Sequence, residues 1–278
     1  MSEIPPNTTV SSPPAGLTTT TTTTRSYRMV AILLVAQLPV MLLAGYLSTR
    51  PVTLTSLWAL IAVSMLALLM ALGDAKGRIG GVLIDEHNLM SVSRFQLVAW
   101  TLLICSAFAM IALARVFNGV NDALAIKLPM ELWQLLGISG ASSVGSALIM
   151  QNKKNKQPAA GEMERAAASL QEAPESVASN AHGVAYANPT AADAHFTDMF
   201  EGDEVANSAY IDMSKVQMYF FTLIALITYG AQLGQMMADK AVAELGAFPE
   251  LSSGLVALLA ISHATYLGSK SVDKTRTS

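Results

Sequence analysis

Apolar residues gather into six long runs, roughly 29–48, 52–73, 96–116, 131–150, 215–236 and 252–269, each near the ~20 residues a helix needs to cross hydrocarbon. The fold class they predict is an all-α membrane protein with six transmembrane helices. Only Thr49, Arg50 and Pro51 separate the first two runs, so residues 28–73 should form a helical hairpin, kinked at Pro39. Two later stretches recur. Ser93-Arg94-Phe95-Gln96 matches Ser214-Lys215-Val216-Gln217, and Leu135-Leu136-Gly137-Ile138-Ser139 matches Leu258-Leu259-Ala260-Ile261-Ser262. Residues 93–150 and 214–270 are therefore two-helix repeats. Each holds an even number of spans, so the copies should point the same way about an axis near the membrane normal.

Small residues fall every fourth position in each copy: Gly137, Ala141 and Gly145, then Ala260, Ala264 and Gly268. That spacing places them on one helix face and predicts a close-packing seam. Gln96, Gln217, Ser139, Ser262 and His263 are the candidate intramembrane polar residues, costly against lipid and predicted to bond between helices. Ser93 and Ser214 are candidate caps, and Arg94 and Lys215 should reach toward phosphate headgroups.

The polar stretches divide the remainder. Residues 1–27, with their threonine run, are predicted to be a disordered tail, 74–92 a connector, and 271–278 a second tail. Residues 151–213, rich in Ala, Asn, Glu and Pro, should be a mostly disordered linker with a docking segment at 194–212. Phe196, Met199, Phe200, Glu201 and Asp203 are its candidate partner-docking residues. Arg25, Arg28, Lys76, Arg78, Arg94, Lys153, Lys154, Lys156, Lys270, Lys274 and Arg276 lie on one side, against Arg50, Arg115, Lys127 and Lys240 on the other. Both termini and the long linker should thus be cytoplasmic.

Composition narrows the function. Hydrophobic residues make up 52% and charged residues 13%, which puts most of the chain in the bilayer, and a net charge of -3 argues against a nucleic-acid partner. Cys105 is alone, His87, His182, His195 and His263 lack ligand spacing, and no glycine-rich phosphate loop occurs, so no metal or cofactor is expected. No carboxylate lies deep in a span, which argues against coupled transport.

One stretch suggests catalysis. Gly137-Ile138-Ser139-Gly140 resembles the Gly-x-Ser-Gly motif of rhomboid intramembrane proteases, with Ser139 in the fourth run and His263 in the sixth as its dyad. The departures are Tyr266, where those proteases carry a glycine, and the lack of a His or Asn in the second run. The repeat also aligns Ser139 with Ser262 and Gly140 with His263, which accounts for the motif by duplication.

Gly81-Val82-Leu83-Ile84-Asp85, Ser93-Arg94-Phe95-Gln96, Asp198-Met199-Phe200, Ser214-Lys215-Val216-Gln217 and Ile261-Ser262-His263-Ala264 together resemble a family of poorly characterised bacterial multi-pass membrane proteins. Some of these look similar to membrane components linked to contractile injection systems. The resemblance implies a bacterial inner-membrane protein and supplies no catalytic residues. The expected function is a non-enzymatic scaffold or anchor that recruits a cytoplasmic protein partner. An oligomeric ion channel is the first alternative, with a homo-oligomer left open, and the Ser139–His263 protease is the second.

Overall fold

A computed structural model describes residues 19–75 and 77–278, with side chains from Arg28 onward. Residues 1–18 of the expected tail and Lys76 lie outside the described residues. The long helices are α1 (Thr19–Leu47), α2 (Leu54–Asp74), α3 (Val92–Phe117) and α4 (Met130–Lys154), with α7 (Met213–Asp239) and α8 (Ser253–Ser271) following a small folded unit. That unit, the cap, contains α5 (Glu162–Leu170), α6 (Pro174–Ser179) and a hairpin of β1 (Ala181–His182) and β2 (Ala185–Tyr186). The threonines from Thr19 to Thr24 join α1 instead of the tail, because extending a helix already nucleated by the apolar run fixes one residue per added hydrogen bond.

The chain is a mostly helical, multi-pass membrane protein. Among the described residues α1 from Arg28, α2, α3, α4 and α7 are long and apolar enough to cross a bilayer. Helix α8 falls short of that apolarity because its cap-side half carries Ser262, His263, Thr265, Tyr266, Ser269 and Lys270. Its polar groups do not all face outward: Ser262, His263, Tyr266 and Lys270 are buried against neighbouring helices.

Helices α3, α4, α8 and α7 form a four-helix ring in that order, each packed on the next. Gln96 of α3 reaches Met218 and Thr222 of α7, and Ser146 of α4 reaches Tyr266 of α8, so counterpart helices lie side by side and parallel. An axis between the hairpins would set counterparts diagonally across the ring. Instead α3 packs beside α7 and α4 beside α8.

Away from the cap, Trp100, Met110, Leu132, Leu135, Tyr229, Leu233 and Leu259 fill the ring. Lipid is as apolar as these side chains, so the gain comes from dispersion in a tightly packed interior. Lys127 and Phe248 exchange backbone hydrogen bonds between the two outer loops, with Lys127 donating to Gly246 and Phe248 to Lys127, both at 2.9 Å. The α1–α2 hairpin flanks the ring: Trp58 Nε1 donates to Ser106 Oγ at 2.9 Å, and Thr55 Oγ1 to the Gly234 carbonyl at 2.9 Å.

The segment expected to be a mostly disordered linker is folded. Ala166, Ala167, Val177 and Val205 form a core of their own, and Val184, Ala185, Ala187 and Ala194 are also buried. Here backbones approach closely enough for a methyl group to fill the space between them. Gly183 shows how close: at φ +64°, a Cβ there would stand 2.4 Å from the Lys154 carbonyl oxygen at the end of α4. The last residues join the cap too, with Ala159 N donating to Arg276 O at 2.7 Å and Ser278 N to Gln157 O at 3.2 Å.

Candidate functional site

The polar residues of the helices fall along one seam inside the ring. Gln96 is fully buried, and its amide nitrogen donates to Met218 O at 3.3 Å and to Thr222 Oγ1. Ser139, Ser142 and Ser146 lie on the buried stripe of α4, and Ser262, His263 and Tyr266 on that of α8. Ser139 Oγ, Ser142 Oγ, Ser262 Oγ, His263 Nδ1 and Gln96 Oε1 have no hydrogen-bond partner. Nearer the cap the seam becomes connected, with Ser146 Oγ 3.0 Å from Tyr266 OH, which accepts from Lys270 Nζ at 3.3 Å.

Two placements differ from expectation. Ser139 and His263 are not hydrogen-bonded, since the serine hydroxyl has no partner among the described residues. Gln217 is exposed, because α7 turns Lys215, Met218 and Thr222 into the ring while α3 turns in Ser93, Gln96 and Trp100. The aligned glutamines thus occupy different faces.

The small-residue seam is displaced as well. Gly137, Ala141, Ala264 and Gly268 are exposed, and a Cβ added to Gly137 or Gly268 would have nothing within 4 Å. Gly145 is the exception, with Leu267 at 3.4 Å. Buried contact between α4 and α8 belongs to the adjoining stripe of Leu135, Ser139, Ser142, Leu259 and Ser262, whereas Gly137, Ala141 and Ala260 line an open groove. Gly137→Ala should consequently stabilise the protein by about 0.5–1 kcal/mol through helix propensity alone. A fall in detergent-solubilised thermal stability would restore the close-packing role.

Where the ring meets the cap, buried charges concentrate. Lys215 of α7 and Lys270 of α8 both contact Asp203, each at 2.9 Å. Lys153 of α4 pairs with Glu204 and donates to Val272 O at 3.1 Å. Glu204 also accepts the backbone amides of Lys274 at 2.9 Å and Thr275 at 2.6 Å. Burial alone would raise the Asp203 carboxyl, but the ammonium groups of Lys215 and Lys270 outweigh it and hold it well below the usual range. Lys215, expected at the headgroups, is buried because this carboxylate claims it. Three ring helices and the chain end are therefore fastened to two adjacent cap residues.

This arrangement corrects the docking assignment. Met199 is fully buried, and Asp203 is committed to the two lysines. Glu201 is half-buried and gives its carbonyl to Lys215 Nζ at 2.5 Å. Phe196 is exposed, and with half-buried Phe200 it stacks edge-on against Tyr219 at the start of α7. Beside them Tyr210, Ile211, Met213 and Phe220 are also exposed, as suits residues at the bilayer interface.

Elsewhere on the cap a cavity of about 470 Å³ is lined by Glu172, Tyr186, Asn188, Asp193, Asp198 and Glu201 among others. Asp198 accepts amide hydrogens from His195 at 2.8 Å and Met90 at 3.2 Å, which ties the 84–90 connector to the cap. Among the described residues no group of His, Cys, Asp and Glu is placed to hold a metal.

No known family describes this chain, and no curated protein and no solved structure is detectably similar to it. Its class is thus defined by the fold alone: a multi-pass helical membrane protein with a folded polar cap fixed to the helix ring by buried ion pairs.

Proposed function

We propose that this chain is a non-enzymatic anchor of a bacterial inner membrane that recruits a cytoplasmic protein through its cap. In this reading α8 is a sixth transmembrane helix, and the chain is an N-terminal hairpin followed by two parallel two-helix repeats. Lys153, Lys154, Lys156, Lys270, Lys274 and Arg276 on the cap side favour a cytoplasmic cap. The carrying observation is the fastening of one cap to α4, α7 and α8 through Asp203 and Glu204. Such a joint transmits position from the membrane to whatever the cap holds.

The acidic cavity is the surface best suited to recruitment, for a segment bearing lysine or arginine. Cross-linked affinity capture should compare the intact protein with Glu172→Lys/Glu201→Lys, both checked for unchanged thermal unfolding. Loss of a basic partner is the expected result. Recovery of the same proteins by both would remove the cavity as the recruiting surface. The channel reading draws its support from the unsatisfied groups at Ser139, Ser142, Ser262 and His263, and requires liposome ion flux that His263→Ala abolishes.

A further inference from the structure

The first helices of the two repeats begin in the same way and are completed differently. Before α7, Asp212 Oδ1 accepts the Ser214 amide at 2.9 Å, and Lys215 is answered by Asp203. At α3 the corresponding residues are Ser91, Ser93 and Arg94. Ser91 makes no side-chain cap to the helix, its hydroxyl lying 3.0 Å from that of Ser93. Arg94 is half-buried and has no hydrogen bond or ion pair among the described residues. One repeat has carboxylates at both anion positions, and the other has none at either.

Both incomplete positions adjoin one cavity of about 60 Å³, roughly four times the room a single water needs. It lies between the start of α3 and the cap-side part of α4, with Ser143 and Ser146 on one wall and Asp85, Glu86 and His87 on another. His87 is 3% exposed, and its Nε2 has no partner. Asp85 Oδ1 already accepts the amides of His87 at 2.8 Å and Leu89 at 3.3 Å, while Glu86 is 3.8 Å from Lys154 and largely exposed. The cavity therefore presents a guanidinium and a helix N-terminus beside carboxylates that form no ion pair with the guanidinium among the described residues.

The geometry points to a binding site here for a phosphate ester carrying an ammonium group, the chemistry of a phosphoethanolamine lipid headgroup. Arg94 and the first amides of α3 take the phosphate, as carboxylates do at α7, and Glu86 and Asp85 face the ammonium. The site sits where α3 begins its span, at headgroup depth, so the bilayer is the source.

Native mass spectrometry of the full chain in detergent, titrated with phosphatidylethanolamine, phosphatidylglycerol and phosphatidylcholine, tests this. One phosphatidylethanolamine should bind at least tenfold more tightly than the other two lipids. Arg94→Gln should lose the bound phosphatidylethanolamine, and Arg50→Gln, on the opposite side, should keep it. Ser91→Asp gives α3 the cap that α7 has, so it should keep the fold and lose the lipid as Arg94→Gln does. Unchanged binding in either Arg94→Gln or Ser91→Asp overturns the site, and equal affinity for the three lipids overturns the ammonium contact. Full displacement by millimolar inorganic phosphate or free phosphoethanolamine overturns the bilayer as the source.

Discussion

Asp203→Asn is expected to destabilise the protein by about 3–5 kcal/mol, the cost of leaving buried charge without its partner. Two ammonium groups, Lys215 and Lys270, depend on this one carboxylate, so the upper part of that range applies. Asp193→Asn on the cap exterior should cost far less. The triple change Asp203→Leu, Lys215→Met, Lys270→Met should recover most of the loss, because it removes the charges together with their desolvation penalty. Thermal unfolding in detergent measures all three, and a loss below about 1 kcal/mol for Asp203→Asn would show that the pairs carry little.

The same residue sets an acid limit. Its folded-state pKa lies below the ordinary 3.8, so its contribution to stability is fully present above that value and is lost as pH falls beneath it. The cap should stay attached through mildly acidic conditions. Detachment above pH 5 would assign the transition to other groups. His87 is lowered too, but by burial, countered in part by Asp85, so it is neutral near pH 7.

Glu204→Gln should act locally. Its carboxylate joins Lys153 to the amides of Lys274 and Thr275, and beyond them Arg276 and Ser278 bond to the 157–159 stretch. Removing the charge should free residues 272–278, with about a hundredfold loss of amide-exchange protection at Thr275, equivalent to ~2.7 kcal/mol. Trypsin should then cleave after Lys274 and Arg276 at rates the native chain resists. Unaltered protection at Thr275 would mean that the chain end is held by other contacts.

These features differ in how far the amino-acid sequence reveals them. The spans were legible because a hydrocarbon-crossing helix leaves a long apolar run whatever its neighbours are. Helix α8 was legible as a helix, while its polar cap-side half could be placed only by knowing that α4 and α7 cover it. The glycine spacing marked a real helix face and the wrong partner for it. Four-residue periodicity fixes which residues share a face, and cannot say whether protein or lipid lies against that face. Alignment also suggested that Gln96 and Gln217 serve alike, yet the buried stripe of α7 runs one position later, through Met218, which is about 100° around the helix.

The cap was the largest omission. Its alanines carry no periodic signal, and its ion pairs join residues far apart in the chain: Lys153 with Glu204, Asp203 with Lys270. Each charge read alone looks like solvated linker or a headgroup contact. Only the pairing makes it structural.

That pairing also imposes an order on biogenesis. Asp203 and Glu204 leave the ribosome well before Lys270, Lys274 and Thr275, the last of their partners. A nascent chain halted at residue 250 holds Lys153 and Lys215 but lacks Lys270 and the chain end, so its fastening is incomplete. The fastening closes only once α8 and the chain end are in place beside α4 and α7.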